Sequence, residues 1–414
     1  MDYATPLSRY GPCLYDDRRL KKVHPPLFKF CAKLVWAISY AFLLTGSGGR
    51  RHLPQTMLLD AAILLAVLLS GAAFLSPKLA GSLYWRATVT PLASIIGSGF
   101  LVIGPILDAS YGKYAPLAMI CLCVAAYLFG AAIRFNIQCE ADSSDRRGVL
   151  VSLDNIASWA LSFAYIISVA YYLNLFGAFG VRLTEGGSPN GARLLTSIIF
   201  LLILIVGWVR GFSALERLEE ISVSVKLAII AGLLLGLIIY FTQKATSGDL
   251  VYNEPEIEGL GAISLALGLL ITVQGFETSR YLGEKYSAPM RIRSKRLAQW
   301  ISSGVYLAYI FLITYVFPRG DIAFSETAII DMMIIVAPIL PTLLVAAALS
   351  AQFSAAVADT AGAGGLFSEL TKHALMPRHA YLIVVIFGLI ITWSANVFEI
   401  INYASKAFAL YYGI

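Results

Sequence analysis

Long apolar runs separated by short polar segments dominate the chain. Twelve runs can be counted in the 414 residues, at 27–46, 56–75, 88–108, 114–136, 153–178, 193–211, 218–242, 258–280, 297–317, 327–357, 380–396 and 398–414. Most have about 20 residues, the length that a helix needs to cross roughly 30 Å of hydrocarbon. The pattern therefore predicts an all-α polytopic membrane protein with about 12 transmembrane helices. Lys33 and Asp60 interrupt the first two runs.

Composition supports this fold class. The chain is 58% hydrophobic and 14% charged, whereas a soluble domain is about 45–50% apolar and about 25% charged. The net charge of +6 is interpreted as a bias of the loops, and no nucleic-acid partner is expected. The expected partners are the lipid bilayer and a small-molecule substrate, and the sequence indicates no oligomeric state.

Lysine and arginine in the loops predict the orientation, because they are enriched on the cytoplasmic side. The tail 1–26 is basic, and so is the predicted loop 281–296, whereas the loop 243–257 is acidic. Counting crossings from a cytoplasmic tail places both basic segments inside and the acidic loop outside. Only Arg50 and Arg51, in the first external loop, disagree. The prediction is a multi-pass protein of the cytoplasmic (inner) membrane with a cytoplasmic N-terminus.

The runs divide into two accessory segments and two halves. Residues 27–87 hold the accessory segments, and 88–242 and 258–414 each hold five runs. An odd number of helices per half makes the second half enter the membrane with the opposite orientation, as in the inverted repeats of secondary transporters. The halves share no clear sequence identity, so this 5+5 repeat is predicted from topology alone.

The first run of each half contains poor helix formers at membrane depth. These are Gly97, Ser98 and Gly99 in the first half, and Gln274, Gly275, Phe276 and Glu277 in the second. Interrupted helices at corresponding places in two halves are typical of a transporter binding site. Unwound backbone there offers amides to a carboxylate and carbonyls to a cation. The alternative is that these small residues serve close packing of helices.

Lys226 is the clearest charge within a predicted span. A lysine near the membrane centre is a functional hypothesis by default. Alternatively it snorkels to the cytoplasmic surface, since about eight residues of helix rise only about 12 Å. Glu277 and Arg280 lie three residues apart and could pair with each other. Asp359, beside the glycines of "AGAGG", is predicted to lie at a helix end.

Three motifs suggest a family. "IIGSGFLVIGP" resembles the first core helix of the amino acid–polyamine–organocation transporter superfamily, and "GFETSRYLGEKYSAPMRIRSKRLAQ" is similar to its sixth core helix and the basic loop that follows. In the second motif Gly275, Phe276, Glu284, Pro289 and Arg291 occupy the family positions, with one extra residue between Glu284 and Pro289. "GAGGLFSELTKHALMP" resembles the end of the eighth core helix, without the usual arginine. The resemblance covers roughly residues 88–414.

The resemblance implies a leucine-transporter-type fold, in which the first and sixth core helices unwind around the substrate. It implies that Lys226 carries the coupling proton, because proton-coupled members place a lysine where sodium-coupled members hold sodium. The alternative is sodium coupling through Ser350 and Ser354, although such serines commonly bond a carbonyl one turn back. Typical members carry two further helices after the tenth, so a chain that ends at Ile414 is expected to be truncated or diverged.

The leading hypothesis is a secondary active transporter of an amino acid or related small solute. Gly97, Ser98 and Gly99 would bind a carboxylate, and the segment from Gln274 to Glu277 would supply carbonyls and an aromatic lid. Selectivity is expected to depend on residues of the third core helix, such as Tyr165, Ser168 and Tyr172. No enzyme activity, metal site or cofactor is expected beyond H⁺ or Na⁺ as coupling ion. The alternatives are a non-transporting homologue and an intramembrane lipid-modifying enzyme, for which Asp16 and Asp17 are the only adjacent aspartates.

Overall fold

A computed structural model describes most of the chain after its N-terminal region. The described residues are 53–97, 99–142, 148–182, 188–210, 212–275, 277–282, 286–319, 325, 327–372 and 374–414. The run 27–46, the basic tail, Ser98 and Phe276 lie outside them. The described regular elements are helices, and from Pro54 onward the chain forms one compact unit. Nine described stretches are long and apolar enough to cross a membrane.

The first half follows an accessory helix. Helix α1 is Leu53–Phe74, and a single turn at Pro77–Ala80 leads into the half itself, which comprises α2 (Leu83–Ile95), α3 (Gly99–Tyr111), α4 (Ala115–Asp142), α5 (Gly148–Val181), α6 (Pro189–Arg210) and α7 (Phe212–Ser247). Ser82 begins α2 as its N-cap, since its side chain accepts a hydrogen bond from the Trp85 amide. Six helices therefore fill the place of five predicted runs, because the run 88–108 is divided into α2 and α3.

The second half has the same broken beginning. It comprises α8 (Gly259–Leu269), two 3₁₀ segments at Leu270–Val273 and Thr278–Leu282, α9 (Ala288–Thr314), α10 (Ala328–Val336), α11 (Leu340–Leu370), α12 (Pro377–Ser394) and α13 (Val397–Gly413). Asn396 and Glu399 form a capping box at the start of α13. Each half therefore starts with an interrupted helix, as the sequence predicts. The inverted relation of the halves stays a prediction from topology.

The predicted runs 327–357 and 297–317 differ from the observed helices. The prediction of 327–357 as one helix was wrong, because α10 ends before Ala337 and α11 begins at Leu340. Helix α11 then continues to Leu370, through the small residues that were interpreted as its end. Helix α9 starts at Ala288, so the predicted loop 281–296 is partly helical and its Lys295 is fully buried.

Helix α11 lies at the centre of the packing and contacts α5 and α7 along its length. Its alanines and glycines allow this close approach. Gly362, for example, faces the ring of Tyr165 of α5. The accessory helix α1 packs its Ile63 and Val67 against Gly232 of α7. Asp60 of α1 accepts a hydrogen bond from the Ile339 amide just before α11, at 3.4 Å, which gives this apparently misplaced charge a structural partner.

Candidate functional site

The first break separates α2 from α3. Helix α2 ends at Ile95, the next residue leaves the helical conformation (φ −85°, ψ 61°), and α3 begins at Gly99. The last carbonyls of an interrupted helix lack partners within the helix. The partial negative charge of a helix C-terminus is also concentrated there. The break therefore creates a cluster of buried acceptors that other parts of the chain must satisfy.

Two side chains, one from α7 and one from α9, donate to two of these carbonyls. The Lys226 Nζ of α7 donates to the Ala93 carbonyl at 2.7 Å, and the Tyr306 hydroxyl of α9 donates to the Ile95 carbonyl at 3.0 Å. Lys226 is fully buried, so the interpretation that it snorkels to the surface is wrong. A buried ammonium at a helix C-terminus is stabilised both by the hydrogen bond and by the helix dipole.

The second break lies between the two 3₁₀ segments of the second half. Gln274 is extended and Gly275 has φ +110°, in a region that side chains other than glycine rarely adopt. The Gln274 side chain is held at both ends: its Nε2 donates to the Tyr172 hydroxyl at 3.3 Å, and its Oε1 accepts from the Tyr412 hydroxyl at 3.0 Å. Residues of α5 and α13 thus position this break.

The two breaks pack directly against each other. A Cβ added to Gly99 would lie 2.5 Å from the Cβ of Thr272, and one added to Gly275 would lie 2.7 Å from the Ile95 amide nitrogen. The Tyr306 hydroxyl joins them, since the Thr272 carbonyl lies 2.7 Å from it and shares its single proton with the Ile95 carbonyl. A cavity of about 10 Å³, roughly the room of one water molecule, lies beside this contact between Ile95, Val273 and Tyr306.

Glu277 carries charge into the second break. It is fully buried, and its Oε2 accepts hydrogen bonds from the Gly275 amide at 3.3 Å and the Tyr412 hydroxyl at 3.5 Å. Its Oε1 has no hydrogen-bond partner in the described part of the chain, and neither has the buried Nζ of Lys295, with which Glu277 interacts electrostatically. Arg280 forms an ion pair with Asp154 of α5. The ion pair between Glu277 and Arg280 that the sequence suggested therefore does not account for the burial of Glu277.

Asp359 lies inside α11, so its prediction as a helix-end residue is wrong. It is 2% exposed and accepts a hydrogen bond from Ser168 of α5. Electrostatic interactions link it to Glu277, Glu219, Tyr172 and Tyr412. Among the described residues, three acidic side chains (Glu219, Glu277 and Asp359) and two lysines (Lys226 and Lys295) are therefore buried in the protein. Such intramembrane charges are expensive, and their default interpretation is functional.

The remaining predicted site residues are placed as follows. Gly97 ends the first break, with a built Cβ 3.9 Å from the Ala355 Cβ of α11. Ser354 is fully buried and its hydroxyl donates to the Ala351 carbonyl at 3.0 Å, the intrahelical bond expected of at least one of the two serines. Ser350 is half-buried. The structure thus brings Gly97, Gly99, Lys226, Gln274, Gly275 and Glu277 into one region, and it does not describe Ser98 or Phe276.

Several central polar residues were missed from the sequence. Tyr306 continues a stripe with Gln299 and Ser302 at helical spacing, and all three are buried on one face of α9. Gln352 and Asp359 lie seven residues apart in an otherwise apolar stretch of α11. Polar residues repeated on one face of a membrane helix were the available signal. Because the predicted run ended at residue 357, Gln352 and Asp359 were not recognised as residues of one helix.

Replacing Tyr306 by phenylalanine should lower stability by about 1–3 kcal/mol. The substitution removes one hydroxyl and leaves two buried carbonyls, those of Ile95 and Thr272, without their donor. Tyr309→Phe is the matched control, because its hydroxyl reaches a single carbonyl at a marginal 3.4 Å. Thermal unfolding of the purified protein in detergent measures both variants. Equal midpoints for the two would show that the hydroxyl of Tyr306 does not hold the breaks together.

Comparison with known proteins gives matches of three kinds. A family model described as "APC superfamily transporter" matches residues 77–414. An uncharacterized protein of Aquifex aeolicus (strain VF5) is 42% identical over 369 residues, which cover 87% of this chain and 89% of that relative.

Two solved structures are similar in fold. Mhp1, a nucleobase-cation-symport-1 family transporter in a closed conformation with bromovinylhydantoin bound, gives a TM-score of 0.50 at 14% identity, over 80% of this chain and 76% of that one. A Na⁺-coupled sialic acid symporter in its substrate-bound outward-open state gives a TM-score of 0.47 at 17% identity, over 91% and 87%. The likeness to Mhp1 is a likeness of fold alone.

Proposed function

The chain belongs to the amino acid–polyamine–organocation (APC) superfamily of transporters, and from this premise we propose that it moves an amino acid or related small solute across the cytoplasmic membrane by proton-coupled alternating access. The all-helical polytopic fold is the leucine-transporter-type fold that the sequence resemblance implies. The observation that carries the proposal is the contact between the two broken helices, at Gly99 with Thr272 and at Gly275 with Ile95.

The substrate would bind where the breaks meet, once they have moved apart in the transport cycle, because the cavity beside their contact holds only about one water molecule. The N-terminus of α3 carries partial positive charge and free amides, so Gly97, Ser98 and Gly99 suit a carboxylate. On the other side, Glu277 has one buried oxygen without a hydrogen-bond partner among the described residues, which suits an ammonium group. Gln274 and Gly275 add carbonyls, and Phe276 the aromatic lid. A zwitterion would therefore lie with its two charges towards opposite breaks.

Coupling to protons follows from the position of Lys226. Its ammonium lies on the last turn of α2, 2.7 Å from the Ala93 carbonyl, where a sodium ion would otherwise use the same acceptors. Movement of α2 away from α7 during the transport cycle would remove that acceptor. A buried ammonium without a partner is costly, so it releases its proton instead. The alternative is coupling to sodium through Ser350 and Ser354, and uptake driven by a sodium gradient tests it.

Uptake into liposomes tests the proposed function. We expect the purified protein to accumulate at least one solute among the amino acids and polyamines under an imposed proton gradient, with the compartment outside the vesicles acidic. Replacing the proton gradient by a sodium gradient should not support accumulation. Accumulation driven only by sodium would contradict proton coupling, and no accumulation of any solute under either gradient would contradict the transporter itself.

A further inference from the structure

Gln352 is a buried amide that the fold itself does not use. It lies within α11 at 0% exposure, and neither its Nε2 nor its Oε1 has a hydrogen-bond partner among the residues that the structure describes. Two nearby hydroxyl groups of α11, in contrast, are satisfied within the helix. Ser354 donates to Ala351 and Thr360 donates to Ala356. Burial of an unpaired amide is costly, so such a group in a native protein calls for a specific explanation.

Helix geometry places Gln352 on the face of α11 that meets the first break. Ala355 follows it by three residues and approaches Gly97. Asp359 follows it by seven residues and accepts a hydrogen bond from Ser168 of α5. Positions separated by three, four and seven residues share one side of a helix. Gln352 therefore lies on the side turned towards the first break and α5, about one turn from the Ala355 contact.

Contacts between α11 and α5 show which part of α5 lies opposite Gln352. The two helices run antiparallel, because Tyr165 packs on Gly362, Ser168 pairs with Asp359, and a Cβ at Gly180 would lie 3.6 Å from Leu349. Gln352 thus lies opposite the part of α5 between Ser168 and Gly180. Tyr172 belongs to that part, and its hydroxyl accepts from the Gln274 side chain of the second break. The unpaired amide accordingly lies about one helical turn from the level at which Ala355 and Tyr172 approach the two breaks.

We propose that Gln352 is a specificity-determining residue of the substrate site, and that its amide pairs with a carboxamide-type group of the substrate. The inference rests on the proposed function and names the substrate class of the same site. A carboxylate could satisfy only Nε2 and an ammonium only Oε1. A group with a donor beside an acceptor satisfies both atoms at once. The substrate charges are already matched by the Gly97–Gly99 amides and by Glu277, which leaves Gln352 to recognise a neutral polar group.

Transport of matched substrate pairs tests the proposal. L-glutamine and L-asparagine supply the carboxamide on an amino acid, and L-methionine and L-leucine are apolar counterparts of similar size. We expect kcat/KM for a carboxamide amino acid to exceed that of the apolar amino acids by at least about tenfold, because an unpaired buried amide weakens their binding. Equal values for the two classes, or a preference for the apolar amino acids, would overturn the proposal.

The variant Gln352→Met separates recognition from structure. It keeps the length of the side chain and removes both polar atoms, so the tenfold preference should disappear while L-methionine is still transported. Thr360→Val, which removes a hydroxyl bonded within α11, is the control and should keep the preference. The thermal unfolding midpoint of Gln352→Met should be unchanged or higher, since no protein hydrogen bond is lost. A lower midpoint, or an unchanged preference, would overturn the assignment, whereas absence of all transport in the wild type would contradict the proposed function instead.

Discussion

Lys226→Met should abolish the dependence of uptake on the proton gradient while substrate binding stays within about threefold of the wild type, since less than about 1 kcal/mol of binding free energy is involved. The lysine contacts α2 through the Ala93 carbonyl, whereas Tyr306 contacts it through the Ile95 carbonyl. Methionine fills the same volume without a proton to exchange. Wild-type uptake should rise as the external pH falls, and uptake by the variant should be independent of pH. Initial rates in liposomes and equilibrium binding measure the two properties separately.

Lys244→Met is the control for this experiment. Lys244 belongs to the last turn of the same helix α7, and its Nζ lies over the Tyr240 ring at 6.0 Å from the centroid. It is a lysine of α7 without a contact to either break in the described structure. The control should therefore retain the pH dependence of the wild type. A Lys226 variant that still accumulates substrate with the pH profile of the wild type would remove this residue from the coupling mechanism.

The same residue shows how far sequence reasoning reaches. A lysine in an apolar run is visible in the sequence, but its depth is not, because the same sequence is compatible with a snorkelling lysine and with a buried one. Only the packing of α7 against α2 decides between them, and it places Nζ on a carbonyl that exists as a free acceptor because α2 ends at Ile95. The proposed role of the lysine thus depends on a break whose carbonyl lies 133 positions away in the chain.

The breaks themselves were predictable, because Gly97, Ser98, Gly99 and Gly275 are poor helix formers in positions where apolar helix formers would otherwise stand. Their partners were not predictable. Tyr306 and Tyr412 come from helices distant in sequence, and only tertiary packing brings them to the breaks. Basic and small residues also led to wrong predictions of helix boundaries. Lys295 was assigned to a loop for its charge, and Asp359 to a helix end for its neighbouring glycines, yet both are buried within helices.

Gly99→Ala should reduce uptake by at least about tenfold and lower the thermal unfolding midpoint. The added Cβ would lie 2.5 Å from the Cβ and 2.6 Å from the Cα of Thr272. Because one of these atoms is backbone, no side-chain rotation relieves the overlap, and overpacking of this kind costs about 1–3 kcal/mol. The two breaks would have to separate, which weakens the bridge that Tyr306 makes between the Ile95 and Thr272 carbonyls. Uptake of the transported solute and thermal unfolding measure the two effects.

Gly268→Ala gives the matched comparison. Gly268 lies in α8 just before the second break, and a Cβ added there would meet no atom within 4 Å. Alanine is preferred over glycine in a helix by up to about 1 kcal/mol, so this variant should unfold at the same temperature as the wild type or higher. The two substitutions are expected to change the thermal unfolding midpoint in opposite directions. Their comparison therefore separates the contact between the breaks from any general effect of adding a methyl group. If Gly99→Ala transports as well as Gly268→Ala, the close contact between Gly99 and Thr272 is not required for the transport cycle, and the binding site must be built without it.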